Sequence, residues 1–246
     1  MILDNEIYIA IKAAKAAGKL LLEDKDHLNK ETSSYSKDVK LEADISSENL
    51  IKEIITSSSD YPILAEESGK SHEDLGEFFW VIDPLDGTAN YNRAIPICCV
   101  SIGLVHKMKP VVGVIYDFNN DDLYVGNDAL KTATLNNKEI NVSNIDQINK
   151  GILITGLPHN TDYSDNALKK MVSDMQSWKK VRMIGSAAMA SCYIACGKGD
   201  LYKENGIYLW DIVAGAAIVS SAGGSAEILN IRENYQVDVV FSNSHL

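Results

Sequence analysis

Residues 80–90 read WVIDPLDGTAN, an apolar run that enters a sharp turn carrying two acidic side chains. The residues before the turn are aromatic or β-branched, which favours a buried strand. Pro84 cannot continue a hydrogen-bonded ladder, so we expect the strand to end at Asp83. Gly87 permits a tight turn, and Thr88 is suited to cap the helix that follows. Two carboxylates next to free N–H groups at a helix start favour an oxygen-ligated dication bridging to a phosphate.

Composition narrows the class of protein. The 246 residues, 46% hydrophobic and 23% charged, are enough for one large domain or two packed halves with a real core. The net charge of −11, without any Lys/Arg-rich run, argues against a nucleic acid polymer or an anionic membrane as partner. No apolar run approaches about 18 residues and no export signal is recognisable, so we expect a cytoplasmic protein. The four cysteines lack zinc-site spacing and are expected to be reduced.

The pattern of elements predicts two halves. Helical periodicity indicates a helix over residues 5–23 and another around 50–55, separated by a polar loop over 24–40. Short strands with tight connections after the central turn, one of them over residues 99–106, predict an antiparallel sheet with a hairpin tip at residues 135–138. Alternating strands and helices follow, with short strands expected at residues 152–155 and 201–202. We therefore expect an N-terminal α+β half (1–145) with the metal-binding turn and a C-terminal α/β half (146–246). The two halves would be subdomains of one compact unit with layered helices and sheets.

Acidic residues stand at the ends of several predicted elements. Glu66 and Asp83 each follow an apolar strand, and Asp211 starts an apolar helix, so the three are placed to converge in a crevice. Taken singly, Glu66 also fits a solvated acidic loop, and Asp211 fits a residue that interacts with the helix dipole. The Asp83–Asp86 turn favours the converging arrangement.

Three further positions have two interpretations each. Asp44 fits an N-cap of the second helix, or a partner of Thr88 that positions or deprotonates a water. Residues 185–188, Gly-Ser-Ala-Ala, fit either close helix packing or a ligand approach to free N–H groups. Glu204, on a predicted loop, fits an ordinary surface acid, and its second interpretation, a substrate contact, is implied only by the resemblance given next.

Four stretches together resemble the inositol monophosphatase family of magnesium-dependent, lithium-sensitive phosphatases. They are residues 65–68, 80–90, 185–188 and 206–211, and they keep the family's order and approximate separations. The D-P-L-D-G-T and W-D signatures are highly specific in combination. The resemblance implies an α+β fold, the layered αβαβα sandwich of the inositol monophosphatase or sugar phosphatase type, and a homodimer.

The resemblance also implies a set of metal ligands. Glu66, Asp83 and the carbonyl of Leu85 would bind one Mg²⁺. Asp83, Asp86 and Asp211 would bind a second, and a weaker third ion would lean on Glu66. Mn²⁺ would substitute for Mg²⁺, whereas Ca²⁺ and Li⁺ would inhibit.

Roles in catalysis and substrate binding follow from the same resemblance. Gly87 and Thr88 would hold the phosphate, and Thr88 paired with Asp44 would orient and activate the attacking water. The residues implied in catalysis are Asp44, Glu66, Asp83 and Thr88. The residues implied in substrate binding are Leu85, Asp86, Gly87, Thr88, Gly185, Ser186, Ala187, Glu204 and Asp211.

Two features depart from the family pattern. The family often carries a lysine in the loop before the second helix, and here Lys37 and Lys40 both qualify. Many members also continue into a terminal helix, whereas this sequence ends at Leu246, soon after Ser242-Asn243. The first departure leaves metal affinity and lithium sensitivity open.

The resemblance predicts a small phosphate ester as substrate. Glu204 matches the position where inositol phosphatases place an acceptor for sugar hydroxyls, and a carboxylate there suits a polyol such as inositol-1-phosphate and repels a second phosphate. The alternatives are a 3′(2′),5′-bisphosphate nucleotidase, fructose-1,6-bisphosphatase activity, or a metal-binding regulator without turnover.

Overall fold

The computed structural model describes residues 3–35, 38–157 and 161–246. The helices in these ranges are α1 (Asp4–Glu23), α2 (Lys25–Leu28), α3 (Glu42–Thr56), α4 (Thr88–Asn92), α5 (Asp165–Gln176), α6 (Ala187–Ala195) and α7 (Leu209–Ser221). A 3₁₀ turn, Ile148–Lys150, lies between the two large sheets in the chain.

The strands form one hairpin and two larger sheets. The hairpin pairs β1 (Glu31–Tyr35) with β2 (Asp38–Leu41). The first sheet contains β3 (Ile63–Ala65), β4 (Gly69–Lys70), β5 (Phe78–Asp86), β6 (Cys99–His106), β7 (Lys109–Asp117), β8 (Asp122–Asn127), β9 (Thr132–Leu135) and β10 (Lys138–Glu139). The second contains β11 (Ile152–Thr155), β12 (Lys180–Met183), β13 (Leu201–Tyr208), β14 (Ser225–Leu229) and β15 (Gln236–Ser242).

The first sheet has the strand order β10-β9-β8-β7-β6-β5-β3-β4. Every neighbouring pair is antiparallel except β3 and β5, which run parallel and so bring their carboxyl ends to the same edge. The predicted antiparallel run is confirmed, as is its hairpin tip. Asn136 and Asn137 have φ values of 50° and 63°, which suit a two-residue hairpin turn.

The second sheet has the order β12-β11-β13-β15-β14 and mixes parallel with antiparallel pairs. Helices α1 and α3 pack on one face of the first sheet, while α6 and α7 lie between the two sheets. Helix α5 faces β11 and β13 on the outer side of the second sheet. The predicted αβαβα order of layers is confirmed.

A line of glycines brings α7 unusually close to the first sheet. Gly103, Gly113 and Gly126 are paired across β6, β7 and β8. A Cβ on any of them would overlap α7, in the case of Gly113 its backbone at Ala214. Close packing on this line fixes the position of α7 and therefore of Asp211 in its first turn.

Several boundaries differ from the sequence prediction. Residues 24–40, expected as a loop, contain α2, strand β1 and most of β2, and the two strands pair with each other in a two-stranded sheet and lack an apolar alternation. Strand β5 continues to Asp86 instead of ending at Asp83. A register shift between Asp83 and Asp86 accommodates Pro84, which has no N–H to donate. Lys37 lies outside the described residues.

The strand β13 is also longer than predicted. It was expected to cover only Leu201 and Tyr202, with Glu204 on a loop, yet it runs to Tyr208 through a register shift between Asn205 and Ile207. Glu204 is therefore held on a sheet strand.

The sequence predicts that no apolar run is long enough to span a membrane, and the described helices can be compared with this prediction. No helix within the described ranges is both long enough and apolar enough to cross a bilayer. The division of the chain at residue 145 stays a prediction, although the first large sheet precedes it and the second follows it.

Candidate active site

A cavity of about 330 Å³ opens where the ends of β3, β5, β11 and β13 meet the first turns of α6 and α7. Five carboxylates line it: Glu204, on β13, and four that stand at strand ends or helix starts, Glu66, Asp83, Asp86 and Asp211. The structure brings all but one of the predicted site residues to this cavity. Those that line it are Glu66, Asp83, Leu85, Asp86, Gly87, Thr88, Gly185, Ser186, Ala187, Glu204 and Asp211.

The bulge in β5 fixes the direction of Asp83. The backbone N–H of Leu85 donates to Oδ1 of Asp83 at 3.0 Å, closing a local side-chain turn over Pro84. Asp83 is only 1% exposed. Burial and the neighbouring Glu66 carboxylate raise the pKa of Asp83 well above its usual range.

Asp86, at the end of β5 in the first sheet, is hydrogen-bonded to the start of α6, the helix that follows β12 of the second sheet. Its carboxylate accepts hydrogen bonds from the Ser186 hydroxyl and from the backbone N–H groups of Ala187 (3.3 Å) and Ala188 (2.8 Å). These donors favour the charged form, but burial prevails and raises the pKa of Asp86. The free N–H groups predicted at residues 185–188 thus hold a carboxylate of the protein itself. Their contact with substrate stays a prediction.

Ser186 also caps α6, because its hydroxyl accepts from the N–H of Met189 at 3.1 Å. Asn90 ties the same segment to the central turn: its amide donates to the carbonyls of Ile97 and Ile184, both at 2.8 Å. Nothing in the sequence pattern indicated this role of Asn90, since its partner at Ile184 is 94 residues away.

Thr88 and Asp44 meet, as one of the two interpretations of the sequence required. The Thr88 hydroxyl lies 2.9 Å from Oδ1 of Asp44 and 2.9 Å from the carbonyl of Leu85. Thr88 is the first residue of α4 and not its cap, a position taken by Gly87 with φ of 87°. Asp44 is the third residue of α3, where its Oδ2 accepts from the N–H of Leu41 at 2.7 Å.

Asp44 lies behind Thr88 and does not line the cavity itself. Only 2% of Asp44 is exposed, and this burial raises its pKa to about 6, against the donated hydrogen bonds of Leu41 and Thr88. A carboxylate with this pKa is still mostly ionised at neutral pH and is a stronger base than an ordinary aspartate.

The carboxylates of the cavity repel one another. Burial raises the pKa of Glu66 well above its usual range, and the charges of Asp211 and Glu67 raise it further. Across residues 3–35, 38–157 and 161–246, no three His, Cys, Asp or Glu side chains form a ready-made metal cluster. The donor set nevertheless fits a hard dication, because it consists of carboxylate oxygens, and Mg²⁺ keeps several of its waters in protein sites.

Glu204 also lines the cavity. Its Oε2 accepts from the hydroxyl of the buried Tyr202 at 2.9 Å. On its other side lies Gly156, where a Cβ would come within 2.5 Å of Oε1. Burial raises the pKa of Glu204 to about 7. Strand β13, Tyr202 and Gly156 therefore hold this carboxylate in one place.

The structure shows where Lys40, one of the two candidate lysines before the second helix, lies. Its Nζ lies 2.8 and 2.9 Å from the two carboxylate oxygens of Glu67, next to Glu66. The sequence left Lys37 and Lys40 equally placed, and only the fold brings Lys40 to the acidic segment.

Comparisons with known proteins agree with this geometry. Residues 3–240 match the model of the inositol monophosphatase family. An inositol-1-monophosphatase of Synechocystis sp. is 41% identical over 189 residues, 76% of this chain and 66% of that protein. A protein of Xylella fastidiosa named Nus factor SuhB is 37% identical over 228 residues, 89% of this chain and 80% of that protein.

The likeness extends to solved structures. The inositol monophosphatase of Anabaena (Nostoc) sp. superposes with a TM-score of 0.85 at 36% identity, covering 99% of this chain and 92% of that one. The family predicted from the sequence is confirmed, and with it the enzyme class, a phosphatase. The chain belongs to the inositol monophosphatase family.

Proposed function

We propose that this protein is a Mg²⁺-dependent phosphomonoesterase that hydrolyses inositol-1-phosphate or a similar small polyol phosphate. One observation carries the proposal: Glu66, Asp83, Asp86 and Asp211 line a single cavity whose wall also contains Thr88. The family is generally metal-dependent, and this acidic cavity needs positive charge before it can accept a phosphate.

The metal ligands proposed are those implied by the resemblance. Glu66, Asp83 and the Leu85 carbonyl would hold one Mg²⁺, with Asp83, Asp86 and Asp211 holding a second. When bound, the ions supply charge stabilisation for the phosphate and lower the pKa of a coordinated water. Uncatalysed phosphate monoester hydrolysis is so slow that about 20 kcal/mol or more of barrier lowering is needed.

The protein's own residues provide a route for a proton. The Thr88 hydroxyl donates to Asp44, so its oxygen remains able to accept a hydrogen bond from a water in the cavity. A proton leaving that water is then passed through Thr88 to the Asp44 carboxylate. The pKa of Asp44, raised to about 6, makes it a better acceptor at neutral pH than an ordinary aspartate.

Glu204 supports a polyol as the leaving alcohol. An ionised carboxylate accepts hydrogen bonds from hydroxyl groups and repels a second phosphate group. This favours inositol-1-phosphate over the alternatives, a 3′(2′),5′-bisphosphate nucleotide or fructose-1,6-bisphosphate. A homodimer, a cytoplasmic location, Mn²⁺ substitution and inhibition by Ca²⁺ or Li⁺ stay predictions from the sequence.

The metal assignment is tested with Asp83→Asn and Asp211→Asn. Both variants should lose Mg²⁺-dependent phosphate release, and Mg²⁺ should raise the melting temperature of the wild type but not of Asp83→Asn. The matched control is Asp146→Asn, which changes an exposed aspartate outside the cavity. Folding of each variant is checked by circular dichroism. Wild-type turnover in both cavity variants would refute the assignment.

The substrate is tested by comparing kcat/KM for inositol-1-phosphate, adenosine 3′,5′-bisphosphate and fructose-1,6-bisphosphate under one set of conditions. We expect the inositol ester to give the highest value. Preference for the nucleotide would overturn the polyol proposal while leaving the phosphatase intact. Absence of turnover with every ester, together with Mg²⁺ binding, would support a regulator instead.

A further inference from the structure

Helix α3 presents a buried polar face toward the candidate active site. Asp44, Ser47 and Glu48 are spaced i, i+3 and i+4, so they lie on one side of the helix. Their exposed fractions are 2%, 0% and 2%. Polar side chains at such depth are costly unless each has a specific partner.

Each of the three side chains holds a different segment of the site. Asp44 accepts from Thr88, as described above. The Ser47 hydroxyl donates to the carbonyl of Pro84 at 2.8 Å, inside the bulge of β5. Oε2 of Glu48 accepts from the backbone N–H of Glu67 at 2.8 Å. One helix face thus contacts both chain segments that carry the metal-ligand candidates of the first sheet.

The contact made by Glu48 is part of a wider clamp on residues 67 and 68. Lys52, one turn further along α3, lies 3.6 Å from Glu48 and donates to the Ser68 hydroxyl at 2.8 Å. Lys40 holds the Glu67 side chain from another direction, at 2.8 Å. The chain immediately after Glu66 is therefore fixed at its backbone and at its side chains.

The chain immediately before and at Glu66 is held by the sheet. The N–H of Glu66 donates to the carbonyl of Ile82 at 3.2 Å, which extends the parallel β3–β5 pairing by one residue. Between this bond and the bond from Glu67 to Glu48, the backbone on both sides of the Glu66 side chain is fixed. Without Glu48, the backbone would be held only on the sheet side, and residues 67 and 68 would be held only through their side chains, by Lys40 and Lys52.

We propose that Glu48 and Ser47 are positioning residues that place Glu66 and the Pro84–Leu85 carbonyl segment for metal binding. Neither side chain lines the cavity, so both act through the residues they hold. The inference rests on the proposed function, because it concerns how well the site is arranged for a dication. Partners that orient metal ligands typically change metal affinity by about 10–100-fold when removed.

The experiment measures Mn²⁺ binding to the full-length protein by calorimetry, with no substrate present. Glu48→Ala should weaken Mn²⁺ binding by about 10–100-fold. Glu48→Gln keeps an oxygen that accepts from the Glu67 N–H and should restore most of the affinity. Glu53→Ala, an exposed glutamate of the same helix, is the control and should bind Mn²⁺ as the wild type does.

The outcomes separate a positioning role from a purely structural one. If folded Glu48→Ala binds Mn²⁺ with wild-type affinity, the proposal is overturned, even if the variant melts at a lower temperature. If Glu48→Ala does not fold, Ser47→Ala decides, since it removes only one hydroxyl. Weaker binding by Ser47→Ala supports the proposal, and unchanged binding overturns it.

The same titration distinguishes this inference from the proposed function. Asp83→Asn, a change in a proposed ligand, serves as the reference for lost metal binding. If Asp83→Asn binds Mn²⁺ normally, the metal site itself is wrong. If Asp83→Asn loses Mn²⁺ while Glu48→Ala keeps it, only the role assigned to Glu48 fails.

Discussion

Replacing Tyr202 by phenylalanine should shift the pH dependence of KM for the substrate toward alkaline pH. Tyr202 donates a hydrogen bond of 2.9 Å to Glu204, and this bond favours the ionised carboxylate. Burial already raises the pKa of Glu204 to about 7. In the wild type, KM for a polyol phosphate should therefore fall as the pH rises through about 7, because the ionised carboxylate accepts hydrogen bonds from substrate hydroxyls more strongly than the protonated acid does.

The size of the shift follows from the lost hydrogen bond. A hydrogen bond to a charged group contributes about 1.5–3 kcal/mol, and one pKa unit corresponds to about 1.4 kcal/mol. Tyr202→Phe should raise the pKa of Glu204 by about one to two units, to about 8–9. The fall in KM should move to alkaline pH by the same amount. The maximal rate should change little, since the hydroxyl of Tyr202 donates to Glu204, which is proposed to contact the alcohol and not the phosphate.

The assay is phosphate release from inositol-1-phosphate at saturating Mg²⁺, with KM and kcat determined between about pH 6 and pH 9. The substrate itself ionises with a pKa of about 6, so Glu204→Gln is needed to show the profile without the carboxylate. Tyr124→Phe removes the hydroxyl of another buried tyrosine, outside the cavity, and should leave the profile unchanged.

Two results would refute the reasoning. One is a profile for Tyr202→Phe that coincides with the wild type while Glu204→Gln differs from both. The other is a profile for Glu204→Gln that keeps the wild-type transition near pH 7, since Glu204 would then not be the titrating group.

Two other changes test how the turn and its partner helix are held. Gly87→Ala should lower both stability and activity, because Gly87 has φ of 87° and a Cβ there would lie 2.8 Å from the Ile97 carbonyl; a melting temperature equal to that of the wild type would contradict this. Ser186→Ala removes a bond to Asp86 and the cap of α6, and should cost about 1–3 kcal/mol of unfolding free energy in urea. An unchanged urea midpoint for Ser186→Ala would show that this contact is dispensable.

The sequence predicted the layered fold well because its helices and strands have clear periodicities. Strand β11 and strand β6 were predicted with the bounds that the structure shows, since both are short apolar runs between turn residues. The prediction of a loop over residues 24–40 was wrong for the opposite reason. Its hairpin is stabilised by pairing between two mostly polar strands, which leaves no hydrophobic alternation to detect.

The site was predictable where its residues stand at the ends of apolar elements. Glu66 and Asp211 were found in this way, and both line the cavity. Glu204 was found only by resemblance, because β13 continues past Tyr202 through Lys203, Glu204 and Asn205, a polar run in which apolar periodicity does not reveal a strand. The position of Lys40 could not be predicted from the sequence, because its partner Glu67 is brought near it only by the tertiary structure.

Asp44 and Asp211 show why two interpretations of an acidic residue need not exclude each other. Each is the third residue of its helix, and each accepts the N–H of the residue preceding that helix, at 2.7 and 2.8 Å. The bond satisfies a helix terminus and at the same time fixes the direction of the carboxyl group. In Asp44 the second oxygen then meets Thr88. An acidic residue at a helix start is therefore well suited to a functional site, because the hydrogen bond that begins the helix also orients its carboxyl group.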